Sequence, residues 1–387
     1  MTVREVSEWR TENLGSVATL QRGFDLPSRL RRRGTVPIIS SSGTSGWHDR
    51  PMVTAPGVVT GRYGTIGEVF FETVDFWPLN TTLWVSDFHG NDERFVFYLL
   101  QRVDFAAHSG KSGVPGVNRN DLHRESVALP VSVEEQRAIA RALGDCDALI
   151  TELERMIAKK QAIKQGLVQQ LLTGRTRLPG FTEPWSTVSL GELGVFLKGR
   201  GVKRDDVRPS GTPCIRYGEL YTDFTDYTAV TRSFVSPDIA ATALPLRPGD
   251  LLFAGSGETR DEIGMCVAYV GEQAAVAGGD IVVLRGTGFN PVYLATLANS
   301  PAVARQKSRA GQGDAVVHIS SRALAAVAVE IPGRAEQDAV AEVLVDADRQ
   351  LAALRGRLDK VRGLRTGMMQ ELLTGRSRLP VQGEEDV

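Results

Sequence analysis

The chain of 387 residues is poor in cysteine and lysine and has no long apolar run. Its three cysteines, Cys146, Cys214 and Cys266, stand far apart and form no CxxC pair, which excludes a disulfide scaffold and a cysteine zinc site. No stretch approaches the roughly 18 consecutive apolar residues of a membrane-spanning helix. The opening Met1-Thr2-Val3-Arg4-Glu5 lacks the apolar segment of a secretory signal. A cytoplasmic protein with no membrane partner is expected. One-signed charge is missing too, since the net charge is −1. Nucleic-acid binding would therefore rest on local patches. Lysine supplies only 8 of the 45 basic residues, leaving 37 arginines. Arginine suits bidentate contact with guanine edges and phosphates, although a coding bias would produce the same excess.

Catalytic signatures are also lacking. Gly110-Lys111-Ser112 resembles the end of a P-loop, but Phe105 stands where the first glycine belongs, and Pro115-Gly116 follow where a helix should start. There is no Asn/Asp-Pro-Pro-Tyr/Phe tetrad of adenine methylation. No lysine has Asp or Glu two residues before it. His48, His89, His108, His123 and His318 show no ligand-like spacing. Gly61-Arg62-Tyr63-Gly64-Thr65-Ile66-Gly67 does not match GxGxxG and reads as a tight turn between strands, able to present Arg62 and Tyr63. A non-catalytic chain without its own cofactor or metal is expected.

What is present is a tandem repeat. Glu135 to Pro179 aligns without a gap on Glu336 to Pro380, with 19 identities in 45 positions. The closures are nearly the same: Leu171-Leu172-Thr173-Gly174-Arg175-Thr176-Arg177-Leu178-Pro179 against Leu372-Leu373-Thr374-Gly375-Arg376-Ser377-Arg378-Leu379-Pro380. A second match lies earlier in each half, where Trp9, Leu14-Gly15 and Gly23 fall on Trp185, Leu190-Gly191 and Gly199. The order is globular segment, block, globular segment, block. The segments diverge while the blocks are alike.

The blocks read as helices. In the first, Ile139, Leu143, Cys146, Ile150, Leu153 and Ile157 are spaced alternately by four and three, a heptad seam. It loosens at Lys160 and resumes near Ile163, Leu167 and Leu171. The second block repeats it at Val340, Leu344, Ala347, Leu351, Leu354, Leu358, Val361, Leu364, Met368 and Leu372. Thr-Gly closures supply the stops. Each helix should span about 39 residues, roughly 58 Å. One such helix cannot bury its stripe alone. The two pair antiparallel if a pseudo-two-fold axis relates the halves, which would also bring the termini together. Association of single helices between chains is the alternative.

Each globular segment shows short strands: Val17 to Leu20, Val36 to Ile39, Val58-Val59, Glu68 to Phe71 and Leu83 to Val85, then Leu193 to Leu197, Pro213 to Arg216, Asp250 to Phe253, Met265 to Val270 and Ile281 to Leu284. Each has one helix, opened by Asn91-Asp92-Glu93 and by Asn290-Pro291. The fold class is mixed α/β: two similar globular domains separated by two long helices. The divisions are a globular domain over 1–133, a helix over 134–179, a globular domain over 180–334, a helix over 335–376 and a tail over 377–387.

Loops carrying Arg, Lys, Asn, Gln and aromatic residues are the usual readers of phosphates and base edges. In the first segment these are Arg22, the run Arg29, Arg31, Arg32 and Arg33, Arg62 with Tyr63, Lys111, and Asn118-Arg119-Asn120. In the second they are Lys198, Arg200, Lys203-Arg204, Arg216 with Tyr217, Arg260, Arg305, Lys307, Arg309, Gln312 and His318. Each single residue also reads as a solvated surface charge. The two basic runs lie at similar distances after Gly23 and Gly199, which favours phosphate positioning.

This pattern resembles the specificity subunit of type I restriction–modification systems. The residues that carry it are the two diverged segments, each followed by a proline and then Glu-Gln (Pro130 with Glu135-Gln136, Pro332 with Glu336-Gln337), the heptad helix, the closure, and the run of the first closure into Gly180-Phe181 and Trp185. The likeness covers nearly the whole chain. It implies that each segment recognises one half of a bipartite site in double-stranded DNA, and that the helices set the gap between halves. It further implies two methyltransferase subunits docked on the helices and restriction–translocase subunits joining them. S-adenosylmethionine, ATP and Mg would be used by those partners. The specificity subunit of a fused restriction–methylation enzyme, a stand-alone DNA-binding protein and a long-helix scaffold remain alternatives.

Overall fold

The computed structural model describes residues 8–109, 116–313 and 316–379. The chain divides into two compact units. The first comprises residues 1–155 with 355–387, and the second residues 156–354. Both crossings between units fall inside the long helices, Val133–Leu171 and Arg334–Leu372, each of 39 residues. Each unit therefore owns the start of one long helix and the end of the other.

In the first unit a four-stranded antiparallel sheet has the order Thr19–Arg22, Thr82–Asp87, Gly57–Gly61, Val69–Glu72. Beside it, Val36–Ser40 pairs antiparallel with Gly43–His48 and parallel with Trp77–Pro78. Trp9–Asn13 pairs with Ser126–Pro130 and closes the base. The second unit repeats this plan. Gly194–Lys198, Ile281–Gly286, Leu251–Ala254 and Cys266–Tyr269 run in the same order, extended by Tyr227–Thr228. Thr212–Ile215 again makes a parallel pair, here with Val276–Ala277, and Ser186–Ser189 pairs with Ala328–Ile331. The diverged segments thus share a backbone frame.

The helices expected after Asn91 and Asn290 form over Glu93–Leu100 and Pro291–Ala298. Asp92 caps the first by accepting from the Phe95 N–H, and Asn290 caps the second by accepting from Val292 and Tyr293. Two expectations change. The strand placed over Val17 to Leu20 begins at Thr19, because Leu14 and Val17, three apart and both buried, form a helical turn before it. The second unit also has a helix over Pro301–Ala310 that the sequence reading omitted.

The long helices are integral to both cores. In the first unit Ile139, Ala140 and Leu143 meet Leu372 and Leu373 within the buried cluster containing Phe95 and Leu99. In the second, Leu171 and Leu172 join Val340, Ala341 and Leu344 around Tyr293 and Leu294. Full burial of a leucine such as Leu143 contributes about 2 kcal/mol.

Within each unit the helix segments run antiparallel. In the first, Arg365 donates to Asp147 and Arg362 to Glu154, so the number falls on one helix as it rises on the other. In the second, Lys160 donates to Gln350 at 2.7 Å and Lys164 to Asp348 at 2.6 Å, with the same sense. Leu153, Leu351 and Leu358 are buried, while Ile150 and Leu354 are half-buried. The seam does not resume at Ile163 or Leu364, which are 47% and 57% exposed. The next residues, Lys164 and Arg365, take the seam position and reach across to Asp348 and Asp147. These four residues occupy matching repeat positions, so the polar step is built into both halves.

Candidate nucleic-acid interface

The repeated motifs fasten each domain to its helix. Glu135 and Glu336 are buried, 1% and 3% exposed. Arg378 donates to both carboxylate oxygens of Glu135, and Arg177 does the same to Glu336 at 2.9 and 2.6 Å. Each guanidinium is held more firmly protonated by its carboxylate. The neighbouring glutamines bind the caps of the short helices. Gln136 accepts from the Asp92 N–H and donates to the Pro130 carbonyl. Gln337 accepts from the Asn290 N–H and donates to the Pro332 carbonyl. The closing glycines, Gly375 and Gly174, have φ of 70° and 64°, and lie against Trp9 and Trp185. The tryptophan, the closure and the Glu-Gln pair thus form one joint, made once in each unit. Sequence reasoning saw these residues as a pattern without their roles. In the first unit the joint stacks Arg378 on Trp9, 5.7 Å from guanidinium carbon to ring centre, which places the two described ends of the chain side by side.

On the sheet of the first unit lies an open, mostly polar cleft of about 730 Å³. It gathers residues from three loops that the sequence singled out separately. Arg22 ends the first strand of the sheet, Arg62 and Tyr63 follow the Gly57–Gly61 strand, and Asn118 and Arg119 open the turn Arg119–Leu122. The Arg62 guanidinium stacks on the Tyr63 ring at 4.5 Å. Gly116 permits this: a Cβ there would stand 2.3 Å from Tyr63. Asn118 caps its own turn by accepting from the Asn120 N–H at 3.0 Å. Below the turn, His123 Nε2 accepts from the Leu20 N–H at 2.9 Å. Burial, with the nearby Arg119 charge, lowers its pKa, in keeping with a neutral ring. Gln21 and Asp25 also line the cleft and were not anticipated.

The basic run stands apart from this cleft's lining. Arg29, Arg32 and Arg33 are exposed, Arg32 lies 3.8 Å from Asp49, and Arg31 is half-buried with its Nε donating to the Leu26 carbonyl. Lys111 lies outside the described residues.

In the second unit Lys198, Arg200, Lys203 and Arg204 are exposed on the equivalent loop. The frame is matched atom for atom at its anchor. The Gly23 N–H donates to the Thr82 carbonyl at 3.0 Å, and the Gly199 N–H to the Ile281 carbonyl at 2.8 Å. A Cβ at either glycine would meet a carbonyl oxygen at 2.1 or 2.0 Å. Arg216 is half-buried and engaged by Glu219, beside exposed Tyr217. Arg260 is exposed and donates to the Gly313 carbonyl. Arg305, Arg309 and Gln312 are exposed. His318 is exposed, its Nδ1 lying 2.9 Å from Ser256 Oγ.

Lys307 is not the surface cation its sequence context suggests. It is 2% exposed, and its ammonium donates to the Gly264 carbonyl at 2.5 Å. Burial depresses its pKa to about 8. It supports the loop after Gly255 from beneath and presents no charge to a ligand.

Residues 6–165 match the family model described as the type I restriction modification DNA specificity domain. The specificity subunit of the MjaVIII type I restriction enzyme from Methanocaldococcus jannaschii is 23% identical over 318 residues, which is 74% of this chain and 71% of that one. The crystal structure of a type I restriction–modification S subunit from M. genitalium superposes with a TM-score of 0.67 at 15% identity, over 96% of this chain and 98% of that one. A chain from a structural study of complex assembly and conformational transition of a type I system gives 0.54 at 18% identity, over 95% and 98%. Residues 6–165 thus resemble a type I restriction modification DNA specificity domain, and the chain as a whole is similar in sequence and in fold to type I specificity subunits.

Proposed function

We propose that this chain is the DNA-recognition subunit of a type I restriction–modification complex. Each globular domain reads one half of a bipartite site in double-stranded DNA, and the long helices set the unread gap. The observation that carries this reading is the repeated frame: matched strands and matched joints hold loops whose side chains differ. Exposed arginines and lysines at the loop bases hold phosphates, which fixes register without reading sequence. The cleft of the first unit, with guanidinium, amide and carboxylate groups together, supplies base-edge contacts.

The chemistry is assigned to partners. Two methyltransferase subunits dock on the helices and transfer a methyl group from S-adenosylmethionine to adenine N6. Restriction–translocase subunits use ATP and Mg. This chain contributes recognition and spacing. None of its described helices is long and apolar enough to cross a membrane.

The test is genome-wide mapping of N6-methyladenine in a methyl-free host that expresses the neighbouring methyltransferase with or without this chain. A split motif with a fixed gap, dependent on this chain, is expected. An undivided motif would overturn the two-module reading. No methylation by a folded complex would leave the scaffold alternative.

A further inference from the structure

The cleft of the first unit contains a carboxylate, which a plain phosphate cradle would exclude. Asp25 is 61% exposed at its side chain and pairs with Arg22, whose Nη2 lies 3.1 and 3.2 Å from its two oxygens. Asn80 Nδ2 donates to Oδ1 of the same carboxylate. The acid is thus oriented by two donors while keeping a face toward the cleft. Among the described residues the Arg22 guanidinium has no other hydrogen-bond partner, so its remaining N–H groups are available to a ligand.

A donor and an acceptor presented side by side complement one base pair. In the major groove a G·C pair shows guanine O6 and N7, both acceptors, next to the cytosine N4 amino donor. Arginine satisfies the two guanine acceptors, and a carboxylate accepts from N4. Phosphate contact with Asp25 would instead bring like charges together. We propose that Asp25 and Arg22 together select a G·C pair in the first half-site, with Asp25 the specificity-determining residue. This rests on the DNA-recognition reading above.

The second unit supplies the contrast. Its matched anchor, Gly199, is preceded by Lys198 and followed by Arg200-Gly201. At the position equivalent to Asp25 stands Gly201, with φ of 65° and no carboxylate. The same backbone frame therefore offers an arginine–aspartate pair in one unit, and in the other a lysine with no carboxylate at the matching position, its nearest acids, Asp205 and Asp206, standing further along the loop. The selection should be confined to one half-site.

The experiment co-expresses the full chain, as wild type, Asp25→Asn or Asp25→Ala, with its methyltransferase, and maps N6-methyladenine. In Asp25→Ala one G·C position of one half-site should become degenerate, with methylation of sites bearing another pair there rising about tenfold. The gap and the other half-site should stay unchanged. An unaltered motif in both variants would overturn the proposal. So would degeneracy spread over both half-sites. If both variants abolish methylation, competition binding of the purified complex to duplexes with each base pair at that position decides. Retained discrimination overturns the proposal, and its loss supports it. Absence of any split motif with the wild-type chain would instead sink the recognition reading, and this inference with it.

Discussion

At the scale of the residue, Lys307 shows how context overrides type. A lysine in a basic stretch reads as a surface charge, yet this one stands four residues after the buried Val303 on the same helix face. That spacing was the available signal, and the run of cations around it hid it. The sign of its pH effect follows from its depressed pKa. Between about 8 and 10.5 the unfolded chain binds this proton and the folded chain does not. Folding therefore gains stability as pH rises through that window, and carries the full penalty below it. The depression corresponds to roughly 3 kcal/mol. In thermal melts of wild type and Lys307→Met, the wild type should gain on the variant between pH 8 and 10. Parallel curves would show that the ammonium is already relieved. The glutamates and glutamines of the joints were legible as repeated letters. Their roles were not, because each depends on a partner far away in sequence, such as Arg378 for Glu135.

At the scale of the element, the heptad period gave the helices and their 39-residue length. The phase of the last third was misread, because Ile163 and Leu364 look like better seam residues than Lys164 and Arg365. An antiparallel partner carrying Asp348 or Asp147 at the right level reverses that preference, a fact no single helix contains. Ion pairs at these positions add modest stability and fix register. The register also identifies where to lengthen the pair. Arg155 and Gly356 occupy matching repeat positions at the same level, so a heptad inserted after each keeps both flanking seams in phase. Seven residues add about 10 Å, or roughly three base pairs at 3.4 Å each. Methylation mapping of this variant should return both half-sites with a gap longer by about three. An unchanged gap would remove the spacing role from the helices.

At the scale of the whole molecule, self-similarity made the architecture legible: a repeat whose blocks agree and whose segments diverge. The assignment of compact units was not legible, since each unit takes only part of each long helix and the first is assembled from two separate stretches of sequence. The loops that line the cleft were the least readable part. Arg22, Arg62 and Asn118 meet in one cleft only because the strand order brings three distant loops to one side of the sheet.

The chain crosses between units inside its helices, and this orders its synthesis. The second unit, residues 156–354, is continuous and complete as soon as its last residue is made. The first unit is begun first and finished last, because Leu372 and Leu373 belong to its core and Arg378 locks its Glu135. Until those residues leave the ribosome, the apolar face of Phe95, Leu99 and Leu143 lacks its cover. A chain stopped at residue 354 should show this in limited proteolysis: a resistant fragment from the second unit, and a first unit cut about as fast as an unfolded chain. Equal resistance of the two would mean that the first unit matures without its closing segment. A nascent copy that has reached residue 354 thus carries one finished unit and one still awaiting residues 355 onward, so the unit begun first is the later of the two to close.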